Sequence, residues 1–227
     1  MADSRIETWR SWLKDIVYDA RTMYLRRDVH QGVSKMVRES ELPPSYYWQY
    51  LGDTYAATQA LAMRRQAERG RGIVSLGRLI GDICKNADYM TREAFLEPWG
   101  DDPHDQQYGG RQFDAWSVGS KGKHLDAAVP RADLEALDES AARVKAYADK
   151  HLAHSDETKT RDDVPTFDEI DAAVLGVGEL VKKYGRLLTA ADHVLHVVLP
   201  NPWFLIFRQP WLRSGAEPPI VPPPGVF

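Results

Sequence analysis

The fold class is set by residues 166–194, which read TFDEIDAAVLGVGELVKKYGRLLTAADHV. Thr166 and Glu169 have the spacing of a capping box, in which a hydroxyl and a carboxylate satisfy two backbone amides of the first helical turn. Apolar side chains then recur at alternating intervals of three and four residues, which is the period of one face of an α-helix. We therefore predict a helix of about seven turns that is ended by Pro200 and Pro202. The apolar stripe consists of Phe167, Ile170, Val174, Val177, Val181, Tyr184, Leu188, Ala191 and Val194.

Four stretches upstream of this segment show the same helical period. The first opens with a second capping box, Ser4 and Glu7, and its stripe fades near Arg27. No alternating strand pattern of useful length is present. Because five amphipathic helices must bury their stripes against one another, the sequence predicts an all-α, up-and-down bundle of about five helices. The four upstream stripes lie at residues 6–27, 47–61, 73–87 and 134–152.

One internal segment lacks this period. Residues 97–128 are rich in Gly, Asp, Gln, Lys and His, and a long stretch of this kind is typical of a loop without secondary structure. Its aromatic residues include Trp99, Phe113 and Trp116. We therefore expect a long insert loop that its aromatic side chains pin to the core.

The C-terminal segment differs in another way, since eight of the 14 prolines lie from Pro200 onward. Proline removes a backbone donor and breaks helices, so ordinary helices are excluded there. Trp203, Phe204, Phe207 and Trp211 accompany the prolines and need burial. We expect residues 199–213 to wrap over the bundle or over a second protomer as an extended arm. The predicted organisation is a bundle domain over residues 1–198 and a Pro-rich arm over residues 199–227.

Composition excludes several protein classes. The chain has 227 residues, of which 43% are hydrophobic and 27% charged, as in an ordinary globular protein. A single cysteine, Cys84, excludes an intramolecular disulfide and a cysteine zinc site, and a net charge of −4 argues against broad nucleic-acid binding. The N-terminus, MADSRIETWRSW, lacks the apolar region of a secretory signal, and the apolar run 203–207 is too short to cross a bilayer. We expect a cytoplasmic protein without a membrane partner.

Four of the seven histidines form two close pairs. Tyr147, His151 and His154 follow one another at helical spacing, so they share one face at the end of a predicted helix. The C-terminal end of a helix favours a protonated imidazole, and a histidine that titrates near neutral pH suits general acid–base chemistry. Lys150 beside them would offset phosphate charge. The simpler interpretation is a polar helix end with two surface histidines.

The second pair is His193 and His196. If the ends of two helices met, these residues would complete a four-imidazole metal site with His151 and His154. This alternative describes a metal-binding helical hydrolase. Otherwise His193 and His196 are polar positions beside the apolar stripe.

A cluster of arginines is the other candidate site. Arginine offers bidentate donors that suit phosphates, although a solvated helix end has the same composition. Neither a glycine-rich phosphate-binding loop nor the nucleophile motif GxSxG occurs in the sequence. The cluster consists of Arg64, Arg65, Arg69, Arg71 and Arg78.

The run 147–156, YADKHLAHSD, resembles the closing phrase R-(N/D)-K-x-x-A-H of HEPN-like helical bundles, particularly their abortive-infection (AbiU-type) branch. Asp149, Lys150, Ala153 and His154 match the phrase in order. The segment 64–79 is also similar to that branch. The resemblance would cover about residues 1–200, and only these two short stretches carry it.

The resemblance implies an HEPN-like symmetric dimer whose site forms between protomers, and which cleaves RNA without a metal or other cofactor. It also implies an abortive-infection or toxin-type defence role, with an antitoxin-type protein as partner. His154 would be the acid/base and His151 an auxiliary group. The family's arginine, which stabilises charge on phosphorus, is replaced by Ala148, so Lys150 or an arginine of the cluster would take that role. The alternative that this replacement leaves open is an inactive HEPN-like interaction or nucleotide-binding module.

Overall fold

The computed structural model describes residues 2–40, 45–118, 122–153, 160–197 and 203–208. Within them the fold is all-helical, and the extended pairings are two isolated bridges. No helix of these segments is both long and apolar enough to cross a membrane. The described part contains seven α-helices: α1 (Ala2–Arg38), α2 (Tyr46–Ala67), α3 (Leu76–Lys85), α4 (Arg92–Leu96), α5 (Pro103–Asp114), α6 (Ala128–Tyr147) and α7 (Phe167–Thr189).

Four long helices form a ring around one core. α1 packs on α2 and α7, and α6 packs on the same two helices, while α3 lies against α6. α1 and α7 run in opposite directions, because Arg10 Nε donates to the Leu188 carbonyl (2.9 Å) near one end and Gln31 Nε2 donates to Asp171 Oδ2 (2.6 Å) near the other. The all-α prediction is thus confirmed.

α6 and α7 are also antiparallel. Lys183 of α7 binds Asp133 near the start of α6 (2.7 Å), and Arg143 near the end of α6 binds Glu169 in the first turn of α7 (2.7 Å). The end of α6, which carries the predicted acid–base residues, therefore lies beside the start of α7.

The stripe of α7 is confirmed over most of its predicted length, with Ile170, Val174 and Tyr184 fully buried. The capping box of Thr166 and Glu169 is present as predicted. The predicted end at the prolines is wrong, because the helix stops at Thr189 and Ala190 adopts the left-handed conformation.

Beyond Thr189 the apolar period wrongly predicts a helix, because the chain folds back over the bundle. The Val194 carbonyl accepts a hydrogen bond from Arg21 Nε of α1 (3.0 Å), and Leu195 is 1% exposed. Residues 190–197 are therefore not helical, and Leu195 is buried in them, whereas Ala191 and Val194, which the stripe had included, are exposed.

Replacing Ala190 by glycine is expected to raise the free energy of unfolding by roughly 0.5–1 kcal/mol. A positive φ of 54° places the alanine Cβ against the following carbonyl, which costs about 1–2 kcal/mol, and glycine avoids this while adding some entropy to the unfolded chain. Urea denaturation measures the difference. Ala191→Gly, one residue later and without a positive φ, is the matched control and is expected to give no gain. A loss of stability in Ala190→Gly would contradict the strain.

The first helix is longer than predicted at both ends. α1 already includes Ala2, so Ser4 lies inside the helix. The Ser4 carbonyl accepts a hydrogen bond from Thr8 Oγ1 (2.8 Å), and the Ser4 side chain does not cap the helix. The helix also continues past Arg27 to Arg38. Its last turns contact α2 and α7 through polar side chains such as Gln31, so an apolar period could not reveal them.

Residues 97–128 are not the structureless loop that was predicted. They contain a 3-10 turn (Glu97–Trp99) and α5, whose N-cap Asp102 accepts backbone hydrogen bonds in front of Pro103. Phe113 and Trp116 are buried, which confirms the predicted aromatic anchoring. α4 and α5 are too short to show a period, and for this reason the described residues hold seven helices instead of five.

The structure describes residues 203–208 of the Pro-rich arm. They form a 3-10 helix instead of an extended strand. Trp203 lies directly on α1, because a Cβ added at Gly32 would come within 2.8 Å of its ring. This short helix therefore packs on the bundle as expected, with a different local conformation. Most of the arm lies outside the described residues, and the boundary at residue 198 stays a prediction.

Candidate functional site

The predicted acid–base segment has an unusual backbone. After Tyr147 the helix widens into a π-helical turn over Ala148–Ala153. Such turns are rare and are frequently found at functional sites. His154, the predicted catalytic residue, lies outside the described residues, so the geometry of the site is that of the turn leading to it.

Tyr147 and His151 remain neighbours in this turn. Their ring centroids lie 5.2 Å apart at an angle of 34°, as the four-residue spacing predicts. Both side chains are half-buried, and His151 Nε2 is shielded from solvent without a hydrogen-bond partner among the described residues. Burial, with a smaller contribution from Asp53, raises the pKa of Tyr147. The phenol is therefore protonated at neutral pH, so its O–H can donate a hydrogen bond and its oxygen can still accept one.

The turn is held by two ion pairs. Arg64 Nε of α2 lies 2.6 Å from Asp149 Oδ1, and Lys150 Nζ lies 3.2 Å from Asp163 Oδ1. The backbone N–H of Thr160 and then Lys150 hold the pKa of Asp163 below its usual range. The fold thus brings Arg64, from one stretch of the family resemblance, into contact with Asp149 from the other.

The exposed arginines of α2 and its C-terminal end are also paired with carboxylates. Arg65 binds Asp19 of α1 at 2.7 Å, and Arg69 binds Asp138 of α6. Exposed ion pairs of this kind contribute about 0–1 kcal/mol, so a phosphate could replace either carboxylate at little cost. Of the predicted phosphate contacts, Arg64 is the one that the structure places against the π-helical turn.

Arg78 has a different environment from the other predicted contacts. Its Nη1 donates to the Ile73 carbonyl at 2.6 Å, and its guanidinium lies 4.4 Å from the ring centre of Trp12. The side chain is half-buried in this arrangement. Arg78 therefore organises the turn before α3, whereas Arg71 is exposed.

The second histidine pair occupies separate structural positions. The ring of His193 packs on the backbone of Gly185, and burial lowers the pKa of this imidazole. His196 Nδ1 lies 3.0 Å from an Asp28 carboxylate oxygen. Among the described side chains, no three His, Cys, Asp or Glu residues come together to hold a metal. With His154 outside the described residues, the four-imidazole site has no support.

Sequence reasoning missed a buried polar cluster at the start of α7. Asp171, 9% exposed, accepts hydrogen bonds from the Tyr55 hydroxyl and from Gln31 Nε2. His30 stacks on the Tyr55 ring with centroids 3.9 Å apart, and its burial lowers its pKa. The sequence does contain a signal for this cluster. Asp171 follows Phe167 by four residues and precedes Val174 by three, and this spacing places a carboxylate on the apolar stripe.

The chain was compared with protein-family models, with curated proteins and with solved structures, and nothing matches in any of the three comparisons. The geometry that bears on function is the contact between Arg64 and Asp149 at the π-helical turn.

Proposed function

We propose that the protein is an HEPN-like, RNA-acting protein of an abortive-infection or toxin-type system, which cleaves RNA without a metal. The observation that supports this most directly is the contact between Arg64 and Asp149. These residues come from the two separate segments that resemble the family, and they are 85 positions apart in the chain. A cation therefore lies beside the phrase that ends in His154.

In this proposal His154 accepts the proton of the 2′-hydroxyl and donates a proton to the leaving oxygen. Arg64 stabilises the negative charge that develops on phosphorus. It replaces the family's arginine, whose position is taken by Ala148, a residue with no solvent exposure. Alanine supplies no cation at that position, so in this proposal the partly exposed guanidinium of Arg64 on α2 takes the role.

The other predicted site residues have supporting roles. Lys150, once released from Asp163, would add a second positive charge, and Arg65 and Arg69 would guide the phosphate backbone from the side of α2. Tyr147 holds the ring of His151 in place. The active form would be a homodimer with the site between protomers, regulated by an antitoxin-type protein partner, and no cofactor is required.

One observation favours the second candidate function, an inactive HEPN-like module that binds a nucleotide or a partner. Arg64 and Lys150, the two cations at the turn, are each neutralised by a carboxylate. A site with balanced charges attracts RNA weakly. Binding without cleavage is therefore the alternative result in the experiment below.

Cleavage of RNA in the presence of EDTA tests the proposal. The wild type is expected to cleave, His154→Ala to lose at least about 100-fold of the rate, as for a general acid–base group, and Arg64→Gln to lose about tenfold or more. Arg131→Gln, an exposed arginine of α6, is the matched control and should keep full activity. Equal cleavage by the wild type and His154→Ala, or cleavage by neither, would exclude the catalytic assignment. RNA binding without cleavage would support the inactive module.

A further inference from the structure

A cleft of about 780 Å³ lies at the opposite end of α7 from the π-helical turn. Its walls are α5 with the preceding 3-10 turn on one side and the last turns of α7 on the other. None of its residues belongs to the site described above. The residues that bear on its chemistry are Trp99, Tyr108, Gln112, Trp116, Lys183 and Arg186.

One wall of the cleft is aromatic. Trp99 and Tyr108 lie edge to face, with ring centroids 5.5 Å apart. Tyr108 is 51% exposed, and Trp99 is half-buried. Gly109 lets α5 come this close, because a Cβ added there would lie 3.0 Å from the Trp99 ring. The wall therefore presents rigid aromatic surface to whatever enters the cleft, which is how proteins stack unpaired bases.

The facing wall carries two cations, one held by buried neighbours and one largely exposed. Lys183 Nζ is fixed between the largely buried Asp133, at 2.7 Å, and the face of Trp116, at 4.9 Å from the ring centre. Arg186 pairs with Asp192, but both side chains are more than half exposed, at 53% and 75%. Exposed ion pairs are weak, so an incoming anion can replace Asp192 as the partner of Arg186. The parallel N–H donors of the guanidinium suit a phosphate.

These walls discriminate between ligand classes. Glu179 and Asp192 also line the cleft, but each is already paired with a cation, Glu179 with Lys182 and Asp192 with Arg186. A purely apolar ligand would cover the Gln112 amide without offering it a hydrogen-bond partner. An amide that both donates and accepts fits the edge of a base. A ligand with a planar heteroaromatic ring and a phosphate matches the aromatic wall, the Gln112 amide and Arg186, with the phosphate taking the place of Asp192 on the guanidinium.

We propose that this cleft binds a nucleotide unit, with the base against Trp99 and Tyr108 and the phosphate at Arg186. The unit is either a free mononucleotide or the terminal nucleotide of an RNA strand. The inference goes beyond the proposed cleavage activity and does not depend on it, since neither His154 nor Arg64 takes part. Its test is a binding measurement, so a failure to cleave RNA does not affect it.

Isothermal titration of the full-length protein with four probes tests the site. AMP is expected to bind at least tenfold more tightly than adenosine or ribose 5-phosphate, because only AMP engages both walls. A 5′-phosphorylated RNA tetranucleotide is the fourth probe. Binding as tight as that of AMP supports the site and identifies an RNA terminus as a source, whereas exclusion of the tetranucleotide supports the site as one for free nucleotides.

Two variants test which wall of the cleft binds the base and which binds the phosphate. Tyr108→Ala is expected to weaken AMP and adenosine alike by about tenfold, whereas Arg186→Gln should weaken AMP to the affinity of adenosine and leave adenosine unchanged. Both side chains are more than half exposed, so the fold should persist, which the thermal midpoint checks. Arg131→Gln again serves as the control. No AMP binding by the wild type at millimolar concentration, or binding that neither variant changes, would overturn the proposal.

Discussion

Asp171→Ala is expected to lower the free energy of unfolding by about 3–5 kcal/mol, the range found when one partner of a buried charged pair is removed. The Asp171 carboxylate accepts hydrogen bonds from the Tyr55 hydroxyl and from Gln31 Nε2, and Arg27 Nε lies 3.6 Å away with its side chain only 16% exposed. Removing the carboxylate leaves two donors and a cation largely shielded from water. Unfolding in urea, followed by circular dichroism, measures the loss.

Two further variants separate this cluster from general effects of charge. Asp168→Ala removes an exposed carboxylate from the same first turn of α7 and is expected to cost about 0.3–1 kcal/mol through the helix dipole. Tyr55→Phe leaves Asp171 with its Gln31 and Arg27 contacts and is expected to cost about 1–3 kcal/mol. An Asp171→Ala loss no larger than that of Asp168→Ala would show that the cluster does not hold α1, α2 and α7 together.

The polar cluster also shows how far an apolar pattern can predict this fold. The stripe of α7 identified a buried helix, and its members from Ile170 to Leu188 are buried, whereas Phe167 and Val194 at its two ends are exposed. The same reasoning ended the first helical stripe near Arg27, and His30 and Gln31 lie beyond that point. These residues pack against Tyr55 and Asp171 instead of apolar neighbours. A periodicity argument cannot detect a helix whose buried partners are polar.

The candidate site was predictable in part for a related reason. Helical spacing placed Tyr147 and His151 on one face, and their rings are in contact range. The pairing of Arg64 with Asp149 depends on the packing of α2 against α6, which no local pattern encodes. The nucleotide cleft was unpredictable because α5 is short and its apolar anchor, Phe113, stands alone in a polar segment. The Asp102-Pro103 dipeptide was the available signal for its start.

Gly178→Ala is expected to destabilise the protein by about 1–3 kcal/mol, the usual range for overpacking a core. A Cβ at Gly178 would overlap the hydroxyl of Tyr24 and lie 2.5–2.6 Å from two of its ring carbons. Tyr24 is 1% exposed and packs between α1 and α7, so its ring cannot swing away into solvent. The gain of about 1 kcal/mol that alanine normally brings to a helix interior is outweighed by this overlap.

Gly176→Ala, two residues earlier in α7, is the matched control. A Cβ there would meet Ser140 at 3.6–3.7 Å, which is ordinary van der Waals contact. This variant should therefore keep the helix-propensity gain and stabilise the protein by about 0.5–1 kcal/mol. The two substitutions are chemically identical and share one helix, so propensity and unfolded-state effects cancel in the comparison. If urea denaturation shows that the two variants change the free energy of unfolding in opposite directions, α1 and α7 approach closely at Gly178. Changes in the same direction would contradict this close approach.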